Sequence, residues 1–199
     1  MADLVQIVDA ALASATQRSG LHLACRPGCS QCCHGVFPIS QQDAARLREA
    51  LCALEQTDPQ RAIRIRIRTS ESLAHVAPFF PGNPATGILN KDYEDAPLFA
   101  NEESIGDNEP CPVLDPATGT CDLYTARPIV CRTFGPPMRT PEGDLATCEL
   151  CYITATTEEI AACELDPTIP AQEAASNQAF DAAHHTHGET IIAYALRSA

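Results

Sequence analysis

The sequence predicts a mainly α fold with irregular cysteine-rich loops and a small β-hairpin. Three observations carry that prediction. Apolar residues recur at helical spacing in several stretches, some of which open on capping signals. Sixteen prolines and an aromatic fraction of only 5% point to a loop-rich middle rather than a regular sheet. Eleven cysteines, most of them in two clusters, offer ligand bonds that can replace missing apolar packing. At 199 residues the chain suits one metal-centred domain spanning 1–199, with a cysteine-cluster core over about 20–151 and a helical extension over 152–199.

The elements follow in order. Leu4, Ile7, Val8, Ala11, Leu12 and Ala15 predict a helix over 3–18, stopped near Gly20. The first cysteine cluster then lies in a loop with Pro27, Gly28 and Gly35, and 36–39 is short and extended. Ser40-Gln-Gln-Asp43 reads as a capping box with aspartate in the usual glutamate position, opening a helix to about Leu54 through Ala45, Leu47, Leu51 and Cys52. Asp58-Pro59 reads as an N-cap followed by proline at the first helical position. Beyond it, residues 63–68 alternate like a strand, yet Ile63, Ile67, Ser70 and Ala74 align on one helical face. The start signal and the length favour a helix to about His75.

Residues 78–110 form a long acidic connection that holds either a short helix near 93–104 or a lid. Residues 111–124 predict two extended pieces around the turn Asp115-Pro-Ala-Thr-Gly119, the expected hairpin. Arg127-Pro128 interrupts the chain again before Ile129-Val-Cys131. The tail predicts helices over 157–164, 170–184 and 189–197.

Charge excludes some partners. A formal net charge of −13 repels the phosphates of nucleic acid, so no nucleic-acid partner is expected. Six of thirteen bases lie between Arg46 and Arg68, while residues 92–109 carry seven acids and no base. Both stretches read as solvated surface, with an acidic docking strip as the alternative reading of the second. No apolar run approaches the ~20 residues that span a bilayer, so no membrane partner is expected. Acids near the N-terminus stand where a signal peptide carries bases. The expected location is cytoplasmic, where thiols stay reduced. The odd cysteine count and the vicinal Cys32-Cys33 pair fit a disulfide framework poorly.

The cysteines carry the chemistry. Cys25, Cys29 and Cys32 follow C-x3-C-x2-C, a spacing at which three thiolates can face one centre. Adjacent side chains tend to point apart, so Cys33 serves a second centre or packs internally. Cys111 and Cys121 flank the predicted turn, Cys131 follows ten residues later, and Cys148-Glu-Leu-Cys151 is a C-x2-C pair. Neither module alone closes a site, which implies thiolates shared between the two. The alternative is a set of independent core cysteines, which the close spacing disfavours. Soft thiolates select zinc, copper(I) or iron–sulfur clusters over magnesium or calcium.

Other motifs are weaker. Arg26, Arg127 and Arg132 sit beside ligand candidates, either offsetting thiolate charge or as ordinary surface bases. His34 is a candidate spare ligand or second-sphere donor. His184, His185 and His187 read either as imidazole ligands or as histidines at a helix end, where they complement the dipole. No Ser/His/Asp order, P-loop or G-x-G-x-x-G is present.

At these residues the chain resembles the bacterial YkgJ-type cysteine-cluster family, described as zinc- or iron-chelating. The resemblance rests on Cys25-Arg-Pro-Gly-Cys-Ser-Gln-Cys-Cys-His34, on Cys111-Pro-Val-Leu114, and on Gly119-Thr-Cys-Asp-Leu-Tyr-Thr-Ala-Arg-Pro-Ile-Val-Cys-Arg-Thr-Phe134. It implies Cys25, Cys29, Cys32, Cys33, Cys111, Cys121 and Cys131 as metal ligands, with Cys148 or Cys151 as the late one. Cys52 and Cys163 fall outside the pattern and read as helix-packing residues. The family's flagellin lysine methylase relatives look like iron–sulfur proteins but are much longer, so the resemblance leaves enzymatic activity open. The reading favours an iron–sulfur cluster, of the 4Fe-4S kind, over zinc. Its alternative is a non-catalytic zinc module or metal carrier acting through a protein partner.

Overall fold

The computed structural model describes residues 3–100, 104–140 and 143–197. It is mainly helical, with irregular cysteine-bearing loops and small two-stranded sheets. The chain divides into two compact units, each built from two separate stretches: 1–29 with 129–179, and 30–128 with 180–199. The expected cysteine core over about 20–151 is therefore distributed between both.

In the first unit, α1 (Leu4–Ser19) starts where Asp3 accepts a hydrogen bond from the Val5 N–H. It buries Leu4, Val8 and Ala15 against Ile129, Leu165 and Ile169. α4 (Ile129–Thr133) is a single short turn of helix packed on α1. Its Arg132 is buried and donates to both Asp9 carboxylate oxygens at 2.7 Å. Two-residue strands β6 (Met138–Arg139) and β7 (Leu145–Ala146) pair antiparallel. α5 (Thr157–Ala162) opens on a complete capping box between Thr156 and Glu159. α6 (Ile169–His184) follows, its last residues belonging to the second unit.

In the second unit, β1 (Pro38–Ser40) leads directly into α2 (Gln41–Thr57). Ser40 caps the helix by accepting the Asp43 N–H at 3.1 Å, and the Asp43 carboxylate pairs with Arg46. α3 (Pro59–Val76) starts as the Asp58-Pro59 signal predicts, with Asp58 accepting the Arg61 N–H at 3.0 Å. The buried stripe of α3 is Ala62, Ile65, Thr69, Ser72 and Val76. The expected face was a different one: Ile63 and Ile67 are about half exposed. One face is covered by α2 and by the helical turn Ile192–Ala195, and the neighbouring stripe is left to solvent.

Between α3 and the second cysteine module lie β2 (Gly82–Asn83), β3 (Ile88–Leu89) and a 3₁₀ turn over Tyr93–Asp95. The expected helix near 93–104 is reduced to that turn among the described residues; 101–103 lie outside them. β4 (Leu114–Asp115) and β5 (Thr120–Cys121) make the expected hairpin. Asp115 closes its turn by accepting the Ala117 N–H on its side chain and the Gly119 N–H on its carbonyl.

The expected helix over 189–197 is corrected. Glu189–Ile191 is strand β8, paired antiparallel with β1, and only Ile192–Ala195 is helical, as α7. Pairing with β1 satisfies the backbone of the β-branched pair Thr190-Ile191, which a helix would crowd. The core of this unit joins Ile39, Leu47, Leu51 and Ile65 to Leu114, Leu123, Ile192 and Leu196. It thus anchors both the hairpin and the segment entering α2.

Candidate metal centres

The structure places eight of the eleven cysteines in two groups of four, one in each unit. In the first unit the chain leaves α1 through a 3₁₀ turn over Gly20–His22 and enters the loop that carries Cys25 and Cys29. That loop lies along the segment 148–152. The Tyr152 N–H donates to the His22 carbonyl at 2.8 Å, and the Ala24 N–H donates to the Cys151 sulfur at 3.4 Å. A turn from the Cys29 N–H to the Arg26 carbonyl, 2.9 Å, shapes one end. A turn from the Cys151 N–H to the Cys148 carbonyl, also 2.9 Å, shapes the other.

Cys148 and Cys151 are buried, Cys29 is half-buried and Cys25 is exposed. Although the residue is exposed, partial desolvation of its sulfur and the neighbouring sulfurs of Cys151, Cys29 and Cys148 push the Cys25 thiol up to about 12. Burial and the Cys151 and Cys29 sulfurs raise Cys148 as well. Sulfurs that repel each other as thiolates are the arrangement a cation would relieve. Gly135 sits against this group. A Cβ there would approach the Cys25 sulfur to 2.8 Å, and its φ of +116° suits glycine alone. Cys131, half-buried on α4, lies four residues before it in the same unit.

In the second unit the Cys32-Cys33 turn is laced to the segment 106–111. The Cys111 N–H donates to the Cys33 carbonyl at 2.8 Å and the Gly35 N–H to the Glu109 carbonyl at 2.9 Å. His34 and Pro110 form an antiparallel bridge. His34, expected as a spare ligand or donor, thus serves this pairing through its backbone. The hairpin β4–β5 brings Cys121 into the same neighbourhood. A hydrogen bond from the Cys33 thiol lowers Cys32 to about 6, helped by the backbone and by Arg127 and opposed by burial. The same bond, burial and the nearby Cys32, Cys111 and Cys121 sulfurs raise Cys33. Burial raises Cys111 to about 12 and also raises Cys121.

Two arginines of α3 hold the hairpin in place. Arg61 and Arg68 each donate to a different oxygen of the buried Asp122 at 2.5 Å, and Arg68 also donates to the Pro112 carbonyl at 2.8 Å. Part of the basic stretch expected as solvated surface is therefore a structural grip beside Cys121. Arg127 lies over the Tyr124 ring, 3.9 Å from its centroid.

The sequence grouping Cys25, Cys29 and Cys32 is divided: Cys32 keeps company with Cys33, Cys111 and Cys121. Cys148 and Cys151, expected as alternatives, stand together. Cys163 is buried in the cluster of Cys148, Cys151 and Tyr152, but Cys52, expected to pack, is exposed on α2. His184 stacks on Phe180 at 4.2 Å between ring centroids. Sequence reasoning missed Tyr152, Gly135 and the Asp122 grip. Only the C-x2-C pair beside Tyr152 carries any signal of it.

The thiols of each group are neighbours without converging. Among the described residues no three Cys, His, Asp or Glu side chains are arranged to hold a metal ion. The donor chemistry nonetheless fits: each group offers four sulfurs, the set that zinc and four-cysteine clusters take.

Comparison with known proteins yields one match. Residues 24–164 match the CxxCxxCC family, whose description is "Putative zinc- or iron-chelating domain". No curated protein and no solved structure matches the chain.

Proposed function

The chain belongs to the CxxCxxCC family of zinc- or iron-chelating domains, and from that premise we propose that it holds metal at two thiolate centres. The first is Cys25, Cys29, Cys148 and Cys151; the second is Cys32, Cys33, Cys111 and Cys121. Cys131, a ligand by resemblance, lies in the same unit, four residues before the Gly135 that packs on the Cys25 sulfur. The observation that carries the reading is the pairing of each half of the first cysteine cluster with a different pair from the second module.

The favoured occupant is an iron–sulfur cluster, 4Fe-4S in kind, at one or both centres. Adjacent cysteines crowd a single tetrahedral ion but can bind different irons of a cluster, which supports this reading at Cys32 and Cys33. A cluster supplies one-electron chemistry when bound. The chain's own residues supply the rest. The Ala24 N–H is aimed at a sulfur, Arg127 offsets thiolate charge near Cys32 and Cys121, and Asp122 fixes the hairpin through two arginines. Loading requires each sulfur to turn toward a shared point and lose its proton, as metal binding to thiols always does. The net negative charge supports a protein rather than nucleic acid as partner, and the odd cysteine count with the vicinal Cys32-Cys33 pair supports a reducing, cytoplasmic setting.

Anaerobic purification with iron, sulfide and zinc analysis and a visible spectrum tests the reading. A brown protein absorbing near ~400 nm with iron and sulfide supports a cluster. Stoichiometric zinc in a colourless protein replaces the cluster with the zinc module. Cys29→Ser should abolish one centre and Cys111→Ser the other. Loss of all metal in either variant sinks the two-centre arrangement.

A further inference from the structure

Tyr152 directly follows Cys151 and occupies the left-handed backbone region, with φ of +58°. Glycine adopts that conformation freely, whereas a bulky side chain stays there only when its surroundings hold it. Those surroundings are specific. Its N–H donates to the His22 carbonyl at 2.8 Å, and its ring stacks on the His22 imidazole at 5.8 Å between centroids, 13° from parallel. Its hydroxyl hydrogen-bonds Ser19 Oγ, the last residue of α1. The residue is 5% exposed and packs with Cys148, Cys151 and Cys163.

Ser19 and His22 head the loop that carries Cys25. The Ala24 N–H, two residues beyond His22, donates to the Cys151 sulfur. We infer that Tyr152 is the positioning residue of the first thiol group. Its clamp on Ser19 and His22 sets the Cys148–Cys151 pair beside Cys25 and aims the Ala24 N–H at the Cys151 sulfur. Hydrogen bonds of that kind orient metal ligands and tune a bound centre. In its metal readout the inference rests on the two-centre reading; in its thiol readout it does not.

Tyr152→Phe keeps the ring and its packing and removes only the hydroxyl; Ser19→Ala removes the same bond from the other side. The full chain and these variants, singly and combined, are titrated anaerobically with Co2+ against a competing chelator. The wild type takes two equivalents. Each single variant weakens one of them by ~10–100-fold, the effect expected of a group that orients ligands, and leaves the other unchanged. The double variant is weakened by less than the two single effects combined, since both remove the shared bond while Ser19 also donates to the Ala15 carbonyl.

In parallel, the reduced, metal-free chain is labelled with iodoacetamide and read by mass spectrometry. Tyr152→Phe should label Cys151 on the order of tenfold faster through local opening, with Cys111 unchanged. Unchanged metal affinity together with unchanged labelling overturns the inference. So does equal weakening of both equivalents with faster labelling of Cys111, which marks general destabilisation. If the wild type takes no metal but the labelling contrast holds, the two-centre reading falls and the clamp stands.

Discussion

Cys111 shows how much a single thiol is asked to do in this chain. It is 8% exposed, its N–H closes the bridge to Cys33, and burial lifts it from an ordinary value of 9.0 to about 12. Two consequences follow from that one shift. The folded, metal-free chain keeps a proton that the unfolded chain releases above pH 9. This contribution to stability is therefore fully present below pH 9 and lost as pH rises toward 12. Urea titrations of the metal-free chain should show that decline, and Cys111→Ala should lessen it, leaving the part that the raised thiols of Cys25, Cys33, Cys121 and Cys148 contribute. Metal uptake must also displace the proton, so affinity should fall as pH is lowered. A competition assay across pH checks this, and a pH-independent affinity would contradict thiolate ligation. Asp122 offers a second test at this scale. Asp122→Asn removes the charge gripped by Arg61 and Arg68 and should destabilise the chain by about 1.5–3 kcal/mol, read by urea denaturation. Its cost should exceed that of changing an exposed acid such as Glu158.

At the scale of elements, the helices and the β4–β5 hairpin follow from local signals, whereas strand β8 does not. Ser40, Asp58 and Thr156 each sit where a helix begins and each accepts an N–H three residues on. Ser40→Ala should therefore cost about 1 kcal/mol, measured as a shift in denaturation midpoint. Leu47 is fully buried between α2 and its neighbours, and Leu47→Ala should cost about 2–5 kcal/mol by the same measurement. The face of α3 was less legible. Ile63 and Ala62 are both apolar, and only the position of α2 and α7 decides that Ala62 is covered and Ile63 is not. Residues 189–191 were unreadable for a similar reason. A three-residue strand is defined by its partner, and β1 lies about 150 residues earlier in the chain.

For the molecule as a whole, two thiol groups in two units predict two separable metal sites. Loading metal should raise thermal stability in two steps, since a ligand that binds only the folded state stabilises by mass action. A chelator should reverse both steps, and Cys29→Ser should remove one of them while leaving the other. A single step shared by Cys29→Ser and Cys111→Ser would unite the groups instead.

The sequence by itself determined that this is a mainly helical chain with clustered soft ligands, because caps, helical periodicity and cysteine spacing are local properties. It also raised the expectation that the two cysteine modules share their ligands, since neither is complete alone. Only the tertiary structure decided how the sulfurs are shared out. The boundary between the units falls between Cys29 and Cys32, and Cys148 and Cys151 lie together in the first. Which sulfur meets which depends on hydrogen bonds between residues far apart in the chain, such as those joining the Cys33 and Cys111 backbones and the Ala24 N–H to the Cys151 sulfur. Spacing along the chain restricts those encounters, but packing chooses among them.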